Sequence, residues 1–380
     1  QESEEYQLAE AALTRLSRTV PLDLILEYLP QDLPLETTEG LQTDPPMIFV
    51  STQPAVLLSA DSEPVYLPVE GQELKFVLNA NWDVLREGDD GAHYLCYQNA
   101  WLTAESIEGP WRWAEQVPPE LAELPAGSNW DDARACMPQN LKQSASGEVP
   151  QVFYSNVPAE LLLLDGEPQW VAIAEGGLSY AANTKQEIFR VDDRVYVLFS
   201  GRWFSADDLE ASWHHTVTLP EAFQQIPETA HAKSYIRNSV PGTKEAWEAA
   251  LMASLPRKAE IVRGTEDALA LDVSYAGQPT FQPIEGIAVE MAVNTSYQVL
   301  KYENAYYVCH NAVWLVGENP QGPWRYADKV PAAFAAIPPS SPAYNTTFVQ
   351  VEKSSPQSIE YSYTSGYENA YVYNNTVVYG

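Results

Sequence analysis

The sequence is short of bases, of cysteine and of long apolar runs. Lysine and arginine number 21 against 52 acids, a formal net charge of −31. A chain with so little positive charge lacks the footprint of a nucleic-acid binder, because phosphate recognition requires the opposite sign. The acidic surplus favours solubility and suits a saline or extracellular setting. No apolar run approaches the roughly 18 residues that would cross a bilayer as a helix, so no transmembrane segment is expected. The sequence also lacks HExxH, GxSxG, a phosphate-binding loop and a dinucleotide fingerprint. Disorder is excluded from the other direction, since 45% of the residues are hydrophobic.

What the chain does contain is an internal repeat, which decides its architecture. Tyr196, Trp203, Trp213, Pro220 and Pro227 recur without a gap as Tyr94, Trp101, Trp111, Pro118 and Pro125, and as Tyr307, Trp314, Trp324, Pro331 and Pro338. Upstream, Pro64, Tyr66, Phe76 and Asn79 match Pro168, Trp170, Tyr180 and Asn183, and these match Pro279, Phe281, Met291 and Asn294. The change of offset places a two-residue insertion in copy one between Arg86 and His93, in the turn cluster Glu87-Gly88-Asp89-Asp90-Gly91.

Periodicity predicts a helix over residues 3–18, with Tyr6, Ala9, Leu13 and Leu16 on one face. A second is predicted at about 243–255, capped by Thr243 and presenting Trp247, Leu251 and Leu255. Ser128 to Met137 reads as a shorter third. Each helix precedes a β-rich body. Asp192-Asp193 lies between apolar strands as a hairpin turn, and Ser200-Gly201, Gln98-Asn99 and Asn311-Ala312 form the next turn of a meander. The proline-rich stretch after the second Trp is expected to be extended. Residues 367–371 repeat 302–306 letter for letter, so the Tyr-rich tail is a partial fourth copy.

The expected fold is therefore mainly β with short helices: three tandem repeats of a helix plus a small antiparallel β-domain, and a partial fourth meander. The units are drawn at residues 1–126 (helix 3–18, β-body about 47–126), 127–240, 241–343 and 344–380. Tyr94, Trp101, Trp111, Tyr196, Trp203, Trp213, Tyr307, Trp314 and Trp324 are read as core, because an aromatic kept at one strand position per repeat plugs a small β-domain. Tryptophans that vary between copies, Trp82, Trp113 and Trp170, are the candidate platforms for sugar rings.

Cys96 and Cys309 occupy equivalent positions where copy two has Leu198. A site that accepts Leu or Cys is apolar and buried, so both are expected as reduced core thiols. His214-His215 points to opposite faces of a strand and shares no metal. Cys309-His310 fails as a nucleophile–base pair for the same reason. Asp89-Asp90, Asp192-Asp193 and Asp207-Asp208 lack the ligand alternation of a calcium loop and read as solvated turns. Asn294, Asn345 and Asn374 head glycosylation acceptor patterns, a common coincidence in an Asn/Thr-rich chain. No catalytic residue, metal or cofactor is expected.

The series Gly322-Pro323-Trp324, Val330-Pro331 and Ile337-Pro338, with the tail Tyr363-Thr364-x-Gly366-Tyr367 and Val377-Val378-Tyr379-Gly380, resembles repeats in exported bacterial proteins of unknown role. Some of these are loosely labelled carbohydrate-binding. The resemblance covers about residues 50–380, and copy two departs from it with Ala211-Ser212-Trp213. It implies an exported protein. The chain opens on Gln1 rather than Met, for which a cleaved secretory signal is the simplest account. The expectation is a non-enzymatic, secreted or cell-surface bacterial structural protein whose partner is itself. Tyr363, Tyr367, Tyr371, Tyr373 and Tyr379 of the tail would carry head-to-tail assembly into a filament or matrix. The alternative is an array of modules that bind polysaccharide through surface aromatics.

Overall fold

The computed structural model describes residue 35 and residues 37–125, 130–136, 148–173, 176–229, 231–263 and 271–380. The helix expected over residues 3–18 lies outside them. The protein is mainly β with few short helices, and three six-strand antiparallel sheets follow one another along the chain. Thr43–His231 form one compact unit, and Ala232–Gly380 form another with the described residues up to Gln42.

In the first unit, β1 (Met47–Ser51) and β2 (Ala55–Ser59) precede a meander of β3 (Tyr66–Pro68), β4 (Leu74–Val77), β5 (Val84–Glu87), β6 (His93–Tyr97), β7 (Ala100–Ala104) and β8 (Arg112–Trp113). A short helix α1 (Asp131–Ala135) follows. Then β9 (Gln151–Ser155) and β10 (Ala159–Leu163) lead into the second meander: β11 (Trp170–Ala172), β12 (Ser179–Ala181), β13 (Ile188–Val191), β14 (Arg194–Phe199), β15 (Arg202–Ala206) and β16 (His214–His215).

The two copies exchange strands. β1 pairs in parallel with β10, Met47 opposite Ala159, and β9 pairs in parallel with β2, Gln151 opposite Ala55. The repeat offset converts one ladder into the other, so the exchange is reciprocal, and the equivalent rings of Phe49 and Phe153 stack on each other at 4.7 Å. Ile48 and Val50 of copy one pack on the core of copy two, and Val152 and Tyr154 pack on the core of copy one.

The second unit opens with α2 (Lys244–Ser254), where Thr243 accepts a hydrogen bond from the Ala246 N–H as N-cap. Trp247 and Leu251 are buried, whereas Leu255 lies past the helix end and is exposed. β17 (Arg257–Val262) precedes the third meander of β18 (Phe281–Pro283), β19 (Glu290–Ala292), β20 (Val299–Tyr302), β21 (Ala305–His310), β22 (Val313–Gly317) and β23 (Arg325–Tyr326). The tail supplies β24 (Val349–Ser354), β25 (Ser358–Tyr363), β26 (Ala370–Tyr373) and β27 (Thr376–Tyr379). β25 lies between β17 and β24, and β26–β27 form a hairpin whose Val372 and Val377 pack with Ala250 and Ala253 of α2.

Local chemistry explains the repeats. The turn between the fourth and fifth strands has both central residues left-handed in each sheet: Gln98-Asn99, Ser200-Gly201 and Asn311-Ala312, and again Asn374-Asn375 in the tail. Two positive φ values match the twist of a two-residue hairpin. Asn79, Asn183 and Asn294 each latch the first hairpin. Their Oδ1 atoms accept from the N–H groups of Val65, Gln169 and Thr280 at 2.8, 2.8 and 2.9 Å, while Nδ2 donates to upstream carbonyls.

Two expectations need correction. The stretch between the paired prolines is not extended. It forms 3-10 turns at Pro119–Glu123, Glu221–Gln225 and Ala332–Ala336. A proline preceding the turn sets φ without interrupting it, and burial of Leu121, Phe223 and Phe334 beside the repeat tryptophans drives the bend. Phe223 meets Trp203 at 5.0 Å and Phe334 meets Trp314 at 5.4 Å between ring centroids. Cys96, in turn, is not a reduced thiol. It is joined to Cys136, which α1 brings against the sheet. Cys309 is free and buried, and its burial pushes the thiol far above its ordinary range.

These contacts predict that Trp314→Ala destabilises its unit by about 3–5 kcal/mol as a truncated core aromatic. Asn183→Ala should cost about 1–3 kcal/mol through orphaned backbone groups, both read from urea unfolding. Thiol titration should detect no reactive group in the native protein, one after unfolding without reductant, and all three cysteines after reduction.

Candidate functional site

The nine aromatics expected in the core occupy both faces of the sheets. Trp101, Trp203 and Trp314 are 1%, 3% and 0% exposed. Tyr94, Trp111, Tyr196, Trp213 and Trp324 are buried as well, and Tyr307 is half-buried. Leu121, Phe223 and Phe334 belong to the same core and were not anticipated. Their signal was legible: the third residue after the first of the paired prolines is large and apolar in every copy.

The tail tyrosines serve the second unit internally. Tyr371 is buried, Tyr363, Tyr367 and Tyr373 are half-buried, and Tyr379 is 54% exposed. Fully buried Tyr361 is the tail's main anchor, donating its hydroxyl to the carbonyls of Trp314 and Ala327 at 3.1 and 3.2 Å. Trp314 Nε1 donates to the Val349 carbonyl at 3.0 Å. Asn294 and Asn345 have their amides engaged inside the fold.

The three variable tryptophans differ from one another. Trp82 is half-buried and donates through Nε1 to the Leu57 carbonyl at 3.1 Å. Trp113 leans on Tyr97, with ring centroids 6.4 Å apart. Trp170 lines an open depression of about 550 Å³, with half-buried Leu209 and buried Val195 as its other apolar residues. This size falls within the roughly 300–1,000 Å³ of small-molecule sites. The depression brings together two acidic turns that are far apart in sequence, Asp192-Asp193 and Asp207-Asp208, with Glu210 beside them.

Comparison of the copies explains the opening. Each copy stacks a cation on the aromatic at this strand position. Arg86 lies 3.7 Å from the Tyr66 ring centre, Arg190 lies 4.5 Å from that of Trp170, and Lys301 lies 5.9 Å from that of Phe281. Copies one and three add another ring. His93 accepts or donates at 2.8 Å with the Tyr66 hydroxyl, and Tyr306 packs 5.5 Å from Phe281. Burial, with Arg86 nearby, holds the His93 imidazole below its usual range. Copy two has Val195 at that position, and the strand it borrows offers Val50 where copy one receives Tyr154.

The arrangement suits contact with a ligand. A flat indole, apolar surface and hydrogen-bond acceptors are assembled, and all five acids are exposed. Arg194 pairs with Asp207 at 3.9 Å, and Asp208 Oδ1 accepts from the Glu210 N–H at 2.9 Å. His214 is exposed, and His215 packs edge-on against Phe204. Among the described residues no cluster of His, Cys, Asp and Glu is placed to hold a metal ion, and no helix is long and apolar enough to cross a membrane.

Comparison with protein-family models, with curated proteins and with solved structures finds no match.

If the missing ring creates the opening, Val195→Tyr should close it without loss of stability, because copy three carries a tyrosine there. A melting temperature unchanged within about 4 °C, with a crystal structure showing the phenol beside Trp170, checks this.

Proposed function

We propose that this protein is a non-catalytic, extracellular or cell-surface structural protein whose work is self-association. The observation that carries this reading is the reciprocal strand exchange between copies one and two. A repeat that pairs through its own edge strands with another repeat has the self-complementary surface that homo-oligomers use. The Cys96–Cys136 disulfide supports an oxidising compartment, and the large negative charge supports solubility outside the cell. The tail strands pair inside the chain, as the exchanged strands do, so the reading rests on the repeat's ability to pair with its own kind and not on a free tail. Sedimentation velocity and electron microscopy of the native protein should reveal oligomers that grow with concentration. A monomer at every concentration contradicts the reading.

A second reading, polysaccharide binding, is favoured by one observation: the Trp170 depression is open in copy two where copies one and three are filled by their own rings. A hexose presents an apolar C–H face to an indole and its hydroxyls to surrounding acceptors. Titration with a panel of soluble oligosaccharides should show at least one ligand whose affinity falls about tenfold or more in Trp170→Ala, a loss of the size measured for one good stacking contact. Equal affinities in wild type and variant would end it.

A further inference from the structure

The Trp170 depression differs from copy three in charge and from both other copies in shape. Its five carboxylates are Asp192, Asp193, Asp207, Asp208 and Glu210. In copy three the equivalent residues are Glu303, Asn304, Glu318, Asn319 and Gln321; copy one has Asp89 and Asp90 in the first turn and Glu105, Ser106 and Glu108 in the second. Copies one and two are thus both acidic here, and in copy two the acids border an open depression in place of a ring. Two cations stand nearby. Arg190 is stacked on Trp170, and Arg194 is paired with Asp207. Asp192, Asp193 and Glu210 are exposed and line the depression together with the buried Val195.

Carboxylates held close together repel one another, and a fold tolerates them most readily where a cation completes the set. The sibling copies show what fits the space, because the chain itself puts there a planar, hydrogen-bonding ring: the imidazole of His93 and the phenol of Tyr306. An occupant with both properties is ring-shaped, apolar on one face and able to donate hydrogen bonds, and it carries positive charge at its edge.

We infer that the depression binds a sugar ring bearing a protonated amine, as in a polymer of amino sugars, the pyranose face resting on Trp170 and the ammonium group meeting the Asp192–Asp193 and Asp207–Glu210 turns. This inference rests on the polysaccharide reading above and specifies its ligand. Uronic acid polymers are excluded by like charge, and neutral glucans lose the ion pairs while keeping the stacking.

The test is calorimetric titration of the intact chain with soluble oligomers of glucosamine, glucose and glucuronic acid, below the amine pKa and at low salt. The glucosamine oligomer should bind about tenfold or more tightly than the glucose oligomer, and the glucuronic acid oligomer should not bind. A chain of charge −31 attracts any polycation, so the deciding variant is Val195→Tyr, which fills the depression and keeps every charge. It should abolish the glucosamine binding, and a variant that binds like wild type overturns the proposal in favour of bulk attraction. The pair Asp192→Asn and Asp193→Asn, on an exposed turn, should remove the preference for the amine even if Val195→Tyr fails to fold. Equal binding of glucose and glucosamine oligomers overturns the charge inference and leaves polysaccharide binding standing. Absence of all three overturns both.

Discussion

Each six-strand sheet is apolar on both faces, and the segments described around it cover them. An antiparallel meander ordinarily turns one face to water. Here the repeat puts Trp101, Trp203 and Trp314 on one side and Trp111, Trp213 and Trp324 on the other, all of them buried. A small sheet cannot hide so much aromatic surface by itself. The Trp203 and Trp314 faces receive Phe223 and Phe334 from the bent proline segment, with Leu121 in the corresponding place. The opposite faces of copies one and two receive strands from the neighbouring copy.

Copy three meets the same need with different material. Its core includes Ile359 and Tyr361 from β25, and the tail joins it through hydrogen bonds from Tyr361 and Trp314. The tail lies on the Trp314 face, where Trp314 bonds Val349 and Cys309 meets Tyr367, the face that α1 covers in copy one. Coverage also differs between the sibling copies one and two, and copy two has the open depression. The strand it borrows brings Val50 where copy one gains Tyr154, and Val195 replaces a ring, so coverage is incomplete at the edge beside Trp170.

Much of the fold was legible because identical spacing three times over constrains strand order, turns and core together. The Asp192 hairpin, the left-handed turns and the Thr243 cap all follow from local residue chemistry and sit where the sequence places them. The strand exchange was not legible, because register between copies is decided by packing across residues that no local pattern links. The Cys96–Cys136 bond was hidden for a similar reason. Equivalence with Cys309 and Leu198 describes the site on the sheet, and says nothing about a helix that brings a second sulfur to only one copy. The proline segments misled because proline's bias against helix was weighed without the buried residue between the prolines. At the candidate site, Trp170 stood out as variable, but the convergence of the two acidic turns required the meander to be folded.

The central claim is that copies one and two complete one another through exchanged strands. Hydrogen exchange on the intact chain tests it most directly, comparing wild type with Phe153→Pro, which removes a ladder donor from β9. The account predicts lost protection in β9 and equally in its distant partner Ala55–Ser59, with the third meander unchanged. Loss of protection confined to β9, with Ala55–Ser59 as slow as in wild type, would contradict it.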